Sequence, residues 1–162
     1  MGASLSGVVR FSVVAGVIAI AACGDESEPN PRVERVDAAI EQWDGERPDD
    51  YVFAFSYSCY CDNDTVRVVV RAGKVVEAKL ASGAGAPDDR RKTIDDLFVD
   101  VRSWAEEDPE EWSLELDPEW NYPRRVQLDV SKGVADDEGG LIVSCFSPGT
   151  AEDVCPLAEE DP

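Results

Sequence analysis

The chain has 162 residues, room for one domain, and carries 35 acidic against 15 basic side chains, a formal net charge of −20. A field of that sign repels nucleic acid and anionic lipid surfaces and attracts cationic partners or divalent ions. There is no histidine, which removes the usual general base at neutral pH, the commonest metal ligand, and every Ser-His or Cys-His nucleophile pair.

The N-terminal stretch reads as an export signal. Arg10 supplies a positive charge, and Phe11 to Ala22 form an apolar run. The run is too short to span a bilayer as a helix but fits the hydrophobic region of a signal peptide. It ends Ile20-Ala21-Ala22-Cys23-Gly24, which resembles a bacterial lipobox. That resemblance implies lipid attachment at the Cys23 sulfur and cleavage just before it. The expected organisation is a signal peptide over 1–22, an acidic tether over 23–31, one domain over 32–147 and an acidic tail over 148–162.

Asn30-Pro31 has the form of a helix N-cap with proline in the first turn. Val33, Val36, Ile40 and Trp43 recur at helical spacing among charged residues, and Gly45 is expected to close this first helix. The next stretch, Tyr51 to Cys61, alternates as a strand. Tyr51, Phe53, Phe55, Tyr57, Cys59 and Cys61 fall on one face, and Val52, Ala54, Ser56, Ser58 and Tyr60 on a smaller, wetter one. Asp62-Asn63-Asp64 turns the chain. It starts like a calcium loop, but Thr65, Val66 and Arg67 stand where a further acid and a glycine are needed. The second strand is expected to bury Val66, Val68 and Val70. A tight Ala72-Gly73 turn leads to a third that buries Val76, Ala78 and Leu80.

Residues 82–91 form a loop by composition, and Thr93 with Asp96 makes a capping box. Ile94, Leu97, Phe98, Val101 and Trp104 then mark one face of a second helix, stopped by Asp108-Pro109. A second trio of strands alternates through Trp112, Leu114 and Leu116, then Val126, Leu128 and Val130, and finally Leu141, Val143 and Cys145. The order is helix, three strands, helix, three strands. Hairpin-length connections predict an α+β fold, an antiparallel sheet with both helices packed on one face.

No glycine-rich phosphate loop is present, and no spacing singles out a pair among the many carboxylates, so the chain does not read as an enzyme. Cys59, Cys61, Cys145 and Cys155 remain besides Cys23, and an even number in an exported domain predicts two disulfides. Three pairings satisfy that count, and the spacing does not choose among them. Cys59 with Cys61 needs a kinked strand end, because two residues along a flat strand separate Cα atoms by about 6.5 Å. Pairings between the first and last strands would close longer loops. Two loop groups are candidate partner or ion contacts: Trp120 with Tyr122, and Asp136-Asp137-Glu138.

Taken in order, Trp43, the Tyr51–Cys61 strand, the Val66–Val76 hairpin, Thr93-Ile94-Asp95-Asp96-Leu97-Phe98, Tyr122-Pro123 and Asp136-Asp137-Glu138 resemble a bacterial domain-of-unknown-function family, number 6174, of secreted proteins and lipoproteins. The resemblance covers roughly 38–146. Asn121 stands where that family has glycine, and asparagine also tolerates the left-handed backbone of a turn. Since Cys145 and Cys155 are additional to the family's Cys-x-Cys, the resemblance implies the local pairings Cys59–Cys61 and Cys145–Cys155. The family has no assigned activity, so the resemblance speaks to fold and location.

The resulting expectation is a non-enzymatic binding module, monomeric and without cofactor or bound metal. It touches the membrane through its lipid alone and engages an envelope protein rather than nucleic acid. The alternative is a lipoprotein that handles divalent cations through its acidic loops or its cysteines.

Overall fold

A computed structural model describes residues 29–58, 64–131, 138–150 and 154–157. Helix α1 spans Pro31–Glu46. The Asn30 side chain accepts the Arg32 N–H at 2.9 Å and donates back to the Ala105 carbonyl at 2.9 Å, so the cap also fastens the second helix. Gly45 does not end α1: it lies within the helix. The stop comes from Pro48, whose ring disfavours helical geometry at the residue before it. Arg47 accordingly turns to φ −55°, ψ 136°.

Helix α2 spans Ile94–Glu106 behind the expected capping box, with Thr93 Oγ1 accepting the Asp96 N–H and Asp96 Oδ2 accepting the Thr93 N–H. The two helices lie antiparallel, because Arg32 near the start of α1 donates to Asp108 Oδ1 and the Pro109 carbonyl beyond the end of α2. Asp37 pairs with Arg102 along the seam.

Six strands, β1 (Tyr51–Ser58), β2 (Val66–Arg71), β3 (Lys74–Leu80), β4 (Glu111–Leu116), β5 (Pro123–Asp129) and β6 (Glu138–Pro148), form one antiparallel sheet in the order β3-β2-β1-β6-β5-β4. Each half is a three-strand meander, and the β1–β6 pair joins them at the centre. Both helices pack on one face, the front. There Tyr51, Phe53 and Phe55 of β1 are buried, with Val36, Trp43, Ile94, Leu97, Phe98 and Val101 above them. Ring centroids along β1 step at 5.5–5.7 Å from Tyr51 to Tyr57, close to the spacing of side chains two apart in a strand.

Bulges overturn several expectations from simple alternation. Between β2 and β3, Val69 pairs with Glu77 and Val70 with Val75, which leaves Val76 as the extra residue. Val75 therefore packs against the core, and Val76 is 55% exposed. Between β1 and β6, Ala54 pairs with Cys145 but Phe55 with Val143. The extra residue, Ser144, moves Cys145 off the face of Leu141 and Val143 and brings Phe146 onto it, opposite Phe53. The even positions of β1 are also drier than expected. Val52 and Ala54 are fully buried on the back face in a second cluster with Val69 and Cys155. β5 ends at Asp129, and Val130 beyond it is exposed. The hairpin turn at Ala72-Gly73 has positive φ at both residues, as a two-residue turn between twisted strands requires.

The glycines opening β6 make opposite demands. A Cβ on Gly140 would stand 2.4 Å from the Val126 carbonyl oxygen, whereas one on Gly139 would meet only Leu128, at 3.7 Å. Gly140→Ala should therefore cost about 1–3 kcal/mol in urea unfolding, as overpacking against backbone does. Gly139→Ala should change stability by less than about 0.5 kcal/mol.

Candidate functional site

Antiparallel order gives the sheet two ends of different chemistry. One end holds the start of β1, the end of β6 and the β4–β5 turn. The Asp117 carboxylate accepts the N–H groups of Glu119 and Trp120, and Asn121 takes φ 58°, the left-handed conformation expected of it. This turn delivers Tyr122 into the core, 6% exposed, 4.8 Å from the Phe146 ring and 6.4 Å from Trp43. Trp120 is half-buried against Phe146. This end is closed by aromatic packing.

The opposite end holds the end of β1, the starts of β4 and β6 and the end of β5. Two depressions of about 440 and 460 Å³ meet here, sharing Ser58, Leu128 and Gly139. One is bordered by Tyr57, Arg90, Lys92, Asp100 and Trp104, the other by Glu111, Trp112, Ser113, Gln127, Asp129 and Glu138. In the first, the Tyr57 hydroxyl donates to Asp100 Oδ2 at 2.5 Å, and Lys92 Nζ donates to Asp100 Oδ1 at 2.7 Å. The Arg90 guanidinium lies 5.0 Å from the centre of the Tyr57 ring, and Trp104 meets that ring edge-on at 6.1 Å. Burial, and then the hydrogen bond to Asp100, push the Tyr57 phenol far above its ordinary range. Tyr57 is thus a fixed donor and not a base.

In the second depression, the ladder register aligns Glu111 with Asp129 and Asp129 with Glu138, a row of three carboxylates across adjacent strands. The neighbouring row is Ser113, Gln127, Gly140 and Ser58. Among the described residues no group of three or more His, Cys, Asp or Glu is disposed to hold a metal ion. The indole Nε1 of Trp112 is buried without an acceptor.

The two predicted contact groups are therefore not one surface. Tyr122 and Glu138 lie at opposite ends of β5, whose seven residues extend roughly 20 Å. Cys23, Cys59, Cys61, Asp136 and Asp137 lie outside the described residues. Ser58 immediately precedes Cys59, and Glu138 immediately follows Asp137, so both segments join the sheet at the open end. Cys145 and Cys155 are bonded to each other, with Cα atoms 5.4 Å apart. The Tyr57 network went unread in the sequence because its partners lie 8 to 43 residues apart. Only the adjacent cations Arg90, Arg91 and Lys92 in an acidic chain hinted at it.

The architecture defines the class: a two-layer α+β domain with a pair of helices over one six-stranded antiparallel sheet. Residues 35–148 match the family of unknown function DUF6174, and the chain belongs to that family. No curated protein matches the chain.

Tyr51 and Tyr122 share the direction of Tyr57, each raised by burial first. A phenol whose pKa is higher folded than unfolded contributes stability that is fully present below the unfolded value, about 10, and is lost as pH rises beyond it. Stability should thus be flat near neutrality and fall above about pH 10. Tyrosinate absorbance from these residues should appear together with loss of the far-ultraviolet circular dichroism of the fold.

Proposed function

We propose that the protein is a cell-envelope lipoprotein, exported and held to a bacterial membrane by lipid on Cys23, and that its domain is a non-enzymatic binding module. The observation that supports a binding module is the open end of the sheet. Two joined depressions carry half-buried aromatic rings beside paired donors and acceptors, the composition of a recognition site. Its ionisable groups are arranged to hold one another rather than to turn over a substrate. Lys92 is spent on Asp100, and Tyr57 is locked as a donor. The partner in this reading is an envelope protein that meets the domain at the face bounded by Tyr57, Trp104, Trp112 and Glu138.

Gly139 provides the test, since it borders both depressions and its added Cβ meets little. Gly139→Leu should keep the melting temperature within a few degrees and reduce capture of envelope proteins by the tethered full chain about tenfold, a loss of about 1.4 kcal/mol. Trp120→Ala, at the closed end, should leave capture unchanged while lowering stability. Loss of capture with Trp120→Ala but not with Gly139→Leu would place the contact at the wrong end and sink this reading.

A second reading, divalent-cation handling, draws on the acidic balance of the chain, 35 acids against 15 bases, and not on the row Glu111, Asp129 and Glu138, which is in register but not disposed to hold an ion. If it holds, millimolar calcium should raise the melting temperature. A calcium-independent melt removes it.

A further inference from the structure

The two helices leave a groove of about 500 Å³ between them on the side away from the sheet. The buried Trp43 and Phe98, with half-buried Ile40, form its floor, and the exposed Val99 and Ser103 stand at its rim. Val99 lies outside the stripe of Ile94, Leu97, Phe98, Val101 and Ala105 that α2 buries. At 67% exposure it is the most exposed large apolar side chain among the described residues. A lone exposed valine is ordinary. One set on the rim of an apolar groove carries that groove out to the surface.

Ion pairs cross the helix seam at each end of the groove. Arg102 of α2 pairs with Asp37 Oδ1 of α1 at 2.8 Å and also with Glu106. Arg47, the C-cap of α1, pairs with Asp95 of α2 at 2.5 Å and with Asp44 at 3.7 Å. Each arginine is shared by two carboxylates, so each end keeps an excess negative charge. The whole layer has that sign: α1 holds five acids against two arginines, and α2 four against one. Arg32 and Arg35 are committed elsewhere, to the carbonyls of Pro109 and Leu114. Asp95 and Arg102 lie two turns apart on α2, which sets the charged ends roughly 10 Å from each other across the apolar floor.

We propose that the groove between α1 and α2 receives a basic amphipathic helix of a partner protein. That helix seats apolar side chains over Ile40, Phe98 and Val99 and sets one lysine or arginine at each end, against Asp37 with Glu106 and against Asp44 with Asp95. The spacing fixes the pattern. Bases at i and i+7 with apolar residues at i+3 and i+4 share one face of a helix and span two turns. The charge fixes the sign. An acidic segment is repelled at both ends, and a second copy of this chain would bring the same acidic layer against itself. Laid along the seam, the partner helix packs its ridge into the groove of a helix pair, a recurring mode of peptide recognition. The groove shares no lining residue with the two depressions of the open end, so it is a separate surface.

The probe is a synthetic alanine-based peptide of about 18 residues, long enough to form a helix, with lysines at i and i+7 and leucines at i+3 and i+4. It is titrated into the isotopically labelled full chain and followed by amide NMR. Shifts should concentrate on residues 40–44 and 99–106, with a dissociation constant below about 1 mM. Replacing both lysines by glutamate, or moving them to i+2 and i+9 on the opposite face, should weaken binding about fivefold or more. Val99→Gln, at an exposed helix position, should leave the melting temperature within a few degrees and weaken binding about tenfold. Asp44→Lys should weaken it about fivefold, and lysine suits the last turn of a helix. Glu119→Lys on the β4–β5 turn makes the same change of net charge and should leave binding unchanged, as should Gly139→Leu. Shifts centred elsewhere, no binding by about 1 mM, equal binding of the peptide with displaced lysines, or no effect of Val99→Gln overturn the proposal. Equal losses with Asp44→Lys and Glu119→Lys would reduce the contact to the overall field of the chain and overturn it too.

Discussion

Everything in this domain depends on the pairing of β1 with β6. It is the one ladder that crosses between the two meanders, so it decides which residues of both halves share a core. Strand β1 sits at the middle of the sheet and is buried from Tyr51 to Phe55 on both faces. Its aromatic side lies under the helices, and its Val52 and Ala54 lie under the chain's own C-terminal segment. Because side chains alternate faces, a register slip of one residue would exchange these two environments and set rings of phenylalanine size where a methyl group now fits. The extra residue at Ser144 performs that exchange locally and once. It puts Phe146 into the aromatic cluster and Cys145 within reach of Cys155.

The ends of the sheet differ because their aromatic residues are used differently. At the start of β1, Trp43, Tyr51, Tyr122 and Phe146 turn edges and faces toward one another, and little of their chemistry is left for a partner. At the other end the ring ladder stops at Tyr57. Its last neighbours are Asp100, Arg90 and Lys92 rather than further hydrocarbon. Polar groups there are tied to one another tightly enough to hold position but remain at the border of open depressions. Recognition sites are built this way, with fixed polar groups around an accessible apolar floor.

Net charge conceals how the charge is distributed. The sum of −20 describes the long-range field, which repels like charge at a distance. It says nothing of the strip where Arg67, Lys79, Arg71 and Lys74 face each other across two strands. That strip exists because a hairpin with polar residues at alternate positions collects them on one face. Val154 and Cys155 lie beside that strip, with Arg67 donating to the Val154 carbonyl.

Much of the fold is legible in the sequence wherever the rule is local. Asn30-Pro31 and Thr93 with Asp96 start the helices because a cap needs only its own first turn. Ala72-Gly73 and Asn121 reverse the chain because left-handed backbone is a property of those residues and their turns. The stop at Pro48 is legible too, since the residue before a proline avoids helical geometry, whereas Gly45 by itself points to an end two residues before the observed Glu46. Alternation places Phe53, Phe55, Leu114, Val126 and Leu141 on the core side. What alternation misses follows from its assumption that every strand is regular. Bulges at Val76 and Ser144 shift the count by one, and nothing within either strand announces them, since each is set by the partner across the ladder. The site is less legible still, for Tyr57, Lys92 and Asp100 meet only after β1, the loop and α2 have packed. Thus the sequence by itself determined the two helices, the six strands, the turns and the face each regular strand buries. The tertiary structure alone decided which sheet end stays open, where Cys145 points, and where a strongly acidic chain keeps a basic surface. Those features are relations between segments distant in the chain, and packing, not local propensity, creates them.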